Sequence, residues 1–154
     1  MDKNPLRPRG AVLVDTNILV SGLVFTKGNE HKVLRLAEDK EISLVLLEFV
    51  VKEARTVLGQ SFPGQETLLD AFLQRTQHTA VPMNQFEREI HRYRERVRDA
   101  KDTAVLAATI VTKPDFTVTG DKTLREDMKQ SREVTDHTIV CSSSEFLKEI
   151  SKRS

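Results

Sequence analysis

AVLVDTNILVSGLVF, residues 11–25, is apolar almost throughout, yet Asp15 and Asn17 sit at its centre. Its first four residues form a continuous apolar run of strand length, as in a strand covered on both faces of a parallel sheet. The rest of the stretch is long enough for a helix, which Thr16 or Asn17 can cap. A strand feeding directly into a helix is the repeating unit of an α/β domain, where ligands collect outside the carboxyl ends of the strands. Asp15 is the first residue beyond the buried run, the place at which polar chemistry becomes possible.

Working outward, ISLVLL (42–47), HTAV (78–81), FTVT (116–119) and HTIV (137–140) read as further short, apolar strands. Between them the spacing predicts a helix capped by Asn29 and running to about Asp39, then EFVVKEARTVL (48–58) ended by Gly59. A helix follows Pro63 to about Thr76, and NQFEREIHRYRERVR (84–98) reads as one charged helix. DTAVLAATIV (102–111), a short helix near 123–130 and SSSEFLKEI (142–150), with three serines able to cap it, complete the set. SREVTDHT (131–138) reads as an exposed loop. Alternation of short buried strands with helices predicts a three-layer α/β/α domain with a mostly parallel central sheet. Pro5, Pro8 and Gly10 among basic residues mark 1–10 as a flexible leader, leaving 11–150 as a single domain without internal repeats.

Composition removes several function classes. Lys and Arg number 24 against 23 Asp and Glu, a net charge of +1, so the molecule has no bulk attraction for nucleic acid or membrane and must grip an anion locally. Cys141 is the single cysteine, which excludes an internal disulfide and suits a reducing, cytoplasmic compartment. Lys3, Arg7 and Arg9 ahead of an apolar run imitate a secretory signal, but Asp15 and Asn17 interrupt it. No stretch approaches the ~20 apolar residues of a membrane helix.

The acids fall in a pattern. Asp15 follows the strand 11–14, and Asp121 follows FTVT by one glycine, so two strands deliver an aspartate to the same sheet edge. In 48–58, Val50, Val51, Ala54, Val57 and Leu58 form one apolar face, and Glu53 falls roughly 40° outside it at about 100° per residue. Asp102 lies on the inward stripe of its helix with Val105, Leu106, Thr109 and Ile110. A carboxylate there needs a cation, a set of donors or a proton. Each acid also has a plainer role: an Asx turn for Asp15, a helix N-cap for Asp102, turn chemistry for Asp121 and a solvated boundary position for Glu53.

Two charges ~4 Å apart at an effective dielectric of ~20 repel by about 4 kcal/mol. Four carboxylates around one pocket therefore call for a counter-ion, and oxygen donors suit Mg²⁺ or Mn²⁺. His31, His78, His91 and His137 show no metal-ligand spacing, which argues against zinc. An ion so held acidifies water and offsets charge on a phosphodiester, so metal-dependent phosphoester hydrolysis is the reaction class implied. Arg88, Arg92, Arg94, Arg96 and Arg98 could grip the strand's phosphates, as could Lys122. Glu87, Glu89 and Glu95 interleave with the arginines, which also fits a solvated, ion-paired helix.

LVDTN (13–17), VVKEARTVL (50–58), RDAKDTAVLAAT (98–109) and TVTGDKTL (117–124) resemble, in order, the four motifs of PIN-domain nucleases, and SSSEFLKEI resembles the final helix of many members. The resemblance spans roughly 11–150 and implies a PIN-like fold. It implies Asp15, Glu53, Asp102 and Asp121 as the catalytic metal-binding acids, Asp99 as an auxiliary ligand, and Asn17 and Thr119 as hydrogen-bonding supports. It further implies Mg²⁺ or Mn²⁺ as cofactor, single-stranded RNA as substrate, a homodimer, and often a small antitoxin protein, as in VapC-like toxins of toxin–antitoxin pairs. Arg92, Arg96 and Lys122 are the expected nucleic-acid contacts.

The expectation is thus a Mg²⁺/Mn²⁺-dependent endoribonuclease. Its rivals are an RNA-processing nuclease without an antitoxin and a non-catalytic nucleic-acid-binding or regulatory module. A third is a haloacid-dehalogenase-like phosphatase using Asp15 as nucleophile. That phosphatase motif wants a second aspartate two residues on, where this chain has Asn17.

Overall fold

The computed structural model describes residues 10–97 and 100–153. Asp99 and Arg98, and residues 1–9 of the expected leader, lie outside the described residues. Five strands, β1 (Ala11–Val14), β2 (Ser43–Leu47), β3 (His78–Val81), β4 (Phe116–Val118) and β5 (Ile139–Cys141), form one sheet in the order β3-β2-β1-β4-β5. Every pairing is parallel, with Leu13 facing Val45 on one side and Thr117 on the other. The sheet is thus parallel throughout, in line with the mostly parallel sheet expected. β1 lies at its centre, and Val12, Leu13 and Val14 are buried.

Helices α1 (Thr16–Val24), α2 (Asn29–Glu38), α3 (Glu48–Ser61) and α4 (Glu66–Arg75) connect β1 to β3. A 3-10 turn (Met83–Gln85), α5 (Glu87–Tyr93) and α6 (Ala100–Thr112) lead to β4. Next come α7 (Lys122–Lys129), α8 (Arg132–Thr135) and, after β5, α9 (Ser143–Lys152). Contacts divide the helices into two groups, α1 to α4 with α9, and α5 to α8, as right-handed crossovers on opposite sides of the sheet require. The result is three layers, α/β/α. None of the described helices is long and apolar enough to cross a membrane.

Where α1 crosses α2, Gly22 makes the approach possible: a Cβ there would meet Leu34 Cδ1 at 2.6 Å and the Glu30 carbonyl oxygen at 2.8 Å. On the other side, Thr109 of α6 and Thr117 of β4, both buried, share a hydroxyl hydrogen bond of 3.1 Å. That bond sets the register of α6 on the sheet. Two turns earlier on the same stripe lies Asp102.

Several sequence expectations are revised. α3 does not stop at Gly59 but runs on to Ser61, its end closed by the Phe62 N–H on the Leu58 carbonyl. The charged run 84–98 is not one helix. α5 ends at Tyr93, and the Arg96 N–H reaches the Tyr93 carbonyl three residues back, a turn in place of continued helix. The turn lets Arg96 reach Glu133 of α8 at 2.5 Å and stack over the buried Tyr93 ring. SREVTDHT is not a plain loop: α8 forms there because Val134 is buried and the Thr138 hydroxyl donates to the Pro114 carbonyl at 2.8 Å.

Candidate functional site

In the order β3-β2-β1-β4-β5, the chain leaves β1 toward one side of the sheet and returns to β4 on the other. The crevice beyond the carboxyl ends of β1 and β4 is thus the topological switch point, where ligands bind in open α/β sheets. Asp15 leaves β1 there, and Thr119 and Asp121 leave β4.

Asp15 caps α1: its Oδ1 accepts the Ile18 N–H at 3.1 Å. The cap is thus Asp15 rather than Thr16 or Asn17. Its other oxygen accepts a hydrogen bond from the buried Thr119 hydroxyl, and the Thr119 oxygen accepts the Asp121 N–H at 3.1 Å. Asp121 in turn caps α7, with Oδ1 accepting the Leu124 N–H at 3.1 Å. The turn and cap chemistry considered for Asp15 and Asp121 is therefore real, and it fixes both carboxylates at the sheet edge.

With only 9% of its surface exposed, Asp15 has its carboxyl pushed above the usual carboxylate range by burial. The bonds from Thr119 and Ile18 pull it back, and the charge of Asp121 pushes it up again. Charge on this carboxylate is only partly compensated by the protein.

A cavity of about 360 Å³ opens here, and Asp15, Glu53, Asp102 and Asp121 all line it, together with Asn17. α3 contributes Glu53 beside Phe49, Val50 and Val57, and α6 contributes Asp102 beside Val105. Its titratable walls are carboxylates from four elements. Among the described residues, however, no three His, Cys, Asp or Glu side chains stand together ready to hold a metal ion. The four acids share one cavity without meeting at one point. The donor set, all oxygen, fits a hard divalent cation by chemistry.

The basic residues stand elsewhere. Arg96 is engaged with Glu133 of α8, outside the interleaved run 87–95, and Arg92 lies over the Tyr93 ring at 5.4 Å. Their charge helps to hold the Glu133 carboxyl below the usual range, after that residue's own backbone bond and the Arg96 hydrogen bond. Lys122 is exposed at the start of α7, next to Asp121.

Sequence reasoning missed Arg125, whose Nη1 donates to the Thr119 carbonyl at 2.7 Å. It lies four residues after Asp121, a spacing at which opposite charges face one another on a helix.

A family model described as PIN domain matches residues 11–123. Among solved structures, a chain of VapBC2 from Rickettsia felis, crystallised bound to a DNA fragment from their promoter, superposes with a TM-score of 0.61 at 15% identity. That alignment covers 86% of this chain and 98% of the other. PAE2754 from Pyrobaculum aerophilum gives a TM-score of 0.61 at 15% identity, covering 92% of this chain and 90% of the other. Comparison with curated proteins finds no significant match.

Proposed function

The chain belongs to the PIN-domain family, and on that premise we propose that it is a Mg²⁺- or Mn²⁺-dependent endoribonuclease acting on single-stranded RNA. PIN domains are generally nucleases and generally depend on a divalent metal. The observation that carries the reading is the cavity at the switch point walled by Asp15, Glu53, Asp102 and Asp121.

When bound, such an ion would acidify a water and offset charge on the scissile phosphodiester. Asp15, Glu53, Asp102 and Asp121 would hold it, with Asp99 as an auxiliary acid. The Thr119 hydroxyl orients Asp15, and the Ile18 amide fixes its second oxygen. Asn17, exposed at the mouth of the cavity, is placed to hydrogen-bond the substrate or the acids. Phe49, Val50, Val57 and Val105 line the cavity with apolar surface and limit the water that reaches it. Lys122, exposed and next to Asp121, is the first choice for a strand phosphate. Arg92 and Arg96 are the second, since Arg96 would have to leave Glu133 to serve.

A toxin-like role beside a small antitoxin protein, in a cytoplasmic homodimer, extends the same proposal. It draws on the motif resemblance and on a fold shared with VapBC2.

Cleavage of single-stranded RNA tests the reading. Turnover should require Mn²⁺ or Mg²⁺, stop in EDTA, and fall by at least two orders of magnitude in Asp15→Asn and Asp102→Asn. Metal-independent turnover, or full activity in both variants, would refute it. Tight RNA binding without turnover in excess metal would point instead to a non-catalytic module.

A further inference from the structure

A second cavity, of about 550 Å³, opens beside the first and shares Asn17 and Asp121 with it. Arg125, the first turn of α9, and Asn29 and Glu30 of α2 line it. At the start of α9, the Ser142 Oγ accepts the Glu145 N–H at 3.2 Å, and the Glu145 carboxylate accepts the Ser142 N–H at 2.8 Å. This capping box occupies the amides of Ser142 and Glu145. The amides between them, on Ser143 and Ser144, belong to the first helical turn and have no intrahelical acceptor.

Ser143 supplies an independent sign of a ligand. It lines the cavity, is 5% exposed, and its Oγ has no hydrogen-bond partner among the described residues. Buried hydroxyls are ordinarily paired, and leaving one unpaired is costly. Buried in this rotamer, the hydroxyl reaches a ligand oxygen in the cavity by turning about its Cα–Cβ bond. Arg125, which lines the same cavity, uses one of the five donors of a guanidinium on the Thr119 carbonyl, which anchors the side chain.

We infer that this second cavity is a phosphate subsite for the nucleic-acid strand, taking a backbone phosphodiester adjacent to the one presented to the four acids. The inference rests on the nuclease reading and deepens it. Arg125, the Ser143 hydroxyl and the Ser143 and Ser144 amides are all donors, as phosphate oxygens require, and a helix N-terminus favours negative charge. Glu30 and Asp121 line the same cavity, so a singly charged diester suits it better than a doubly charged free phosphate.

The test is an amide NMR titration of the full chain in Mg²⁺ with a cleavage-resistant 2′-O-methyl phosphorothioate trinucleotide, and separately with inorganic phosphate. The Ser143, Ser144 and Gly120 amides should shift, and the trinucleotide should bind at least tenfold more tightly than phosphate. Ser144 is exposed, and an aspartate in a first helical turn suits the helix dipole. Ser144→Asp should therefore weaken trinucleotide binding about tenfold, or about 1.4 kcal/mol, without lowering Tm. Ser144→Asn should bind as the parent does. Absent shifts in α9, unchanged affinity in Ser144→Asp, or phosphate binding as tightly as the trinucleotide would each overturn the subsite. Mn²⁺-dependent RNA cleavage is followed in parallel. Cleavage with an unchanged KM in Ser144→Asp defeats the subsite alone, whereas α9 shifts without any cleavage defeat the nuclease reading alone.

Discussion

Thr119→Val removes one oxygen and keeps the shape of the side chain. That oxygen donates to the Asp15 carboxylate and accepts the Asp121 N–H. A hydrogen bond to a charged group contributes about 1.5–3 kcal/mol and a neutral one about 0.5–1.5, so the metal-free variant should lose about 2–4.5 kcal/mol at neutral pH. The loss should depend on pH in a definite direction. Burial raises the Asp15 carboxyl above 3.8 in the folded chain, so the folded state binds this proton more tightly than the unfolded state. Its contribution to stability is then greatest below the unfolded value and falls as pH climbs through the folded one. Without the hydroxyl, which lowers the folded value, the window of loss moves to higher pH. Urea unfolding in EDTA at pH 4 and pH 7.5 measures the difference. The variant's deficit should be clearly larger at pH 7.5, and equal deficits would refute the idea that the hydroxyl supports a charged Asp15.

Gly22→Ala should cost about 1–3 kcal/mol, because the new methyl overlaps Leu34 and the Glu30 carbonyl; an unchanged urea midpoint would contradict that packing. Cys141, its thiol pushed up to about 12 chiefly by burial, should resist thiol-specific labelling at pH 8 until the protein is unfolded, and rapid native labelling would contradict it. Arg96→Ala should lower stability by no more than about 1 kcal/mol, since its pair with Glu133 is solvent-exposed and its stacking on Tyr93 is modest. If that arginine also grips RNA, the same variant raises KM with kcat unchanged; a loss in kcat would place its effect in the acid cavity instead.

The sequence is most readable where one strand or one helical stripe determines the answer. AVLV coincides with β1 to the residue because it is a continuous apolar run closed by Asp15, and HTAV coincides with β3 because Pro82 stops it. Asp102 could be placed on the cavity side of α6 from the stripe it shares with Val105, Leu106 and Thr109. Contacts made across long separations were not readable. Nothing local announces that Thr119 serves Asp15, 104 residues earlier in the chain. The turn after Tyr93 brings Arg96 to Glu133, 37 residues further on, and the four residues of α8 are too few to show a period. The unpaired Ser143 hydroxyl becomes visible only once α9 has packed.

The central claim is that the four acids at the switch point share a divalent cation. Anomalous scattering from Mn²⁺ soaked into crystals of the protein tests this most directly. An ion in the cavity, bound by Asp15 and at least two of Glu53, Asp102 and Asp121, is the predicted result. An empty cavity at saturating Mn²⁺, or an ion bound elsewhere with these carboxylates unmoved, would contradict it.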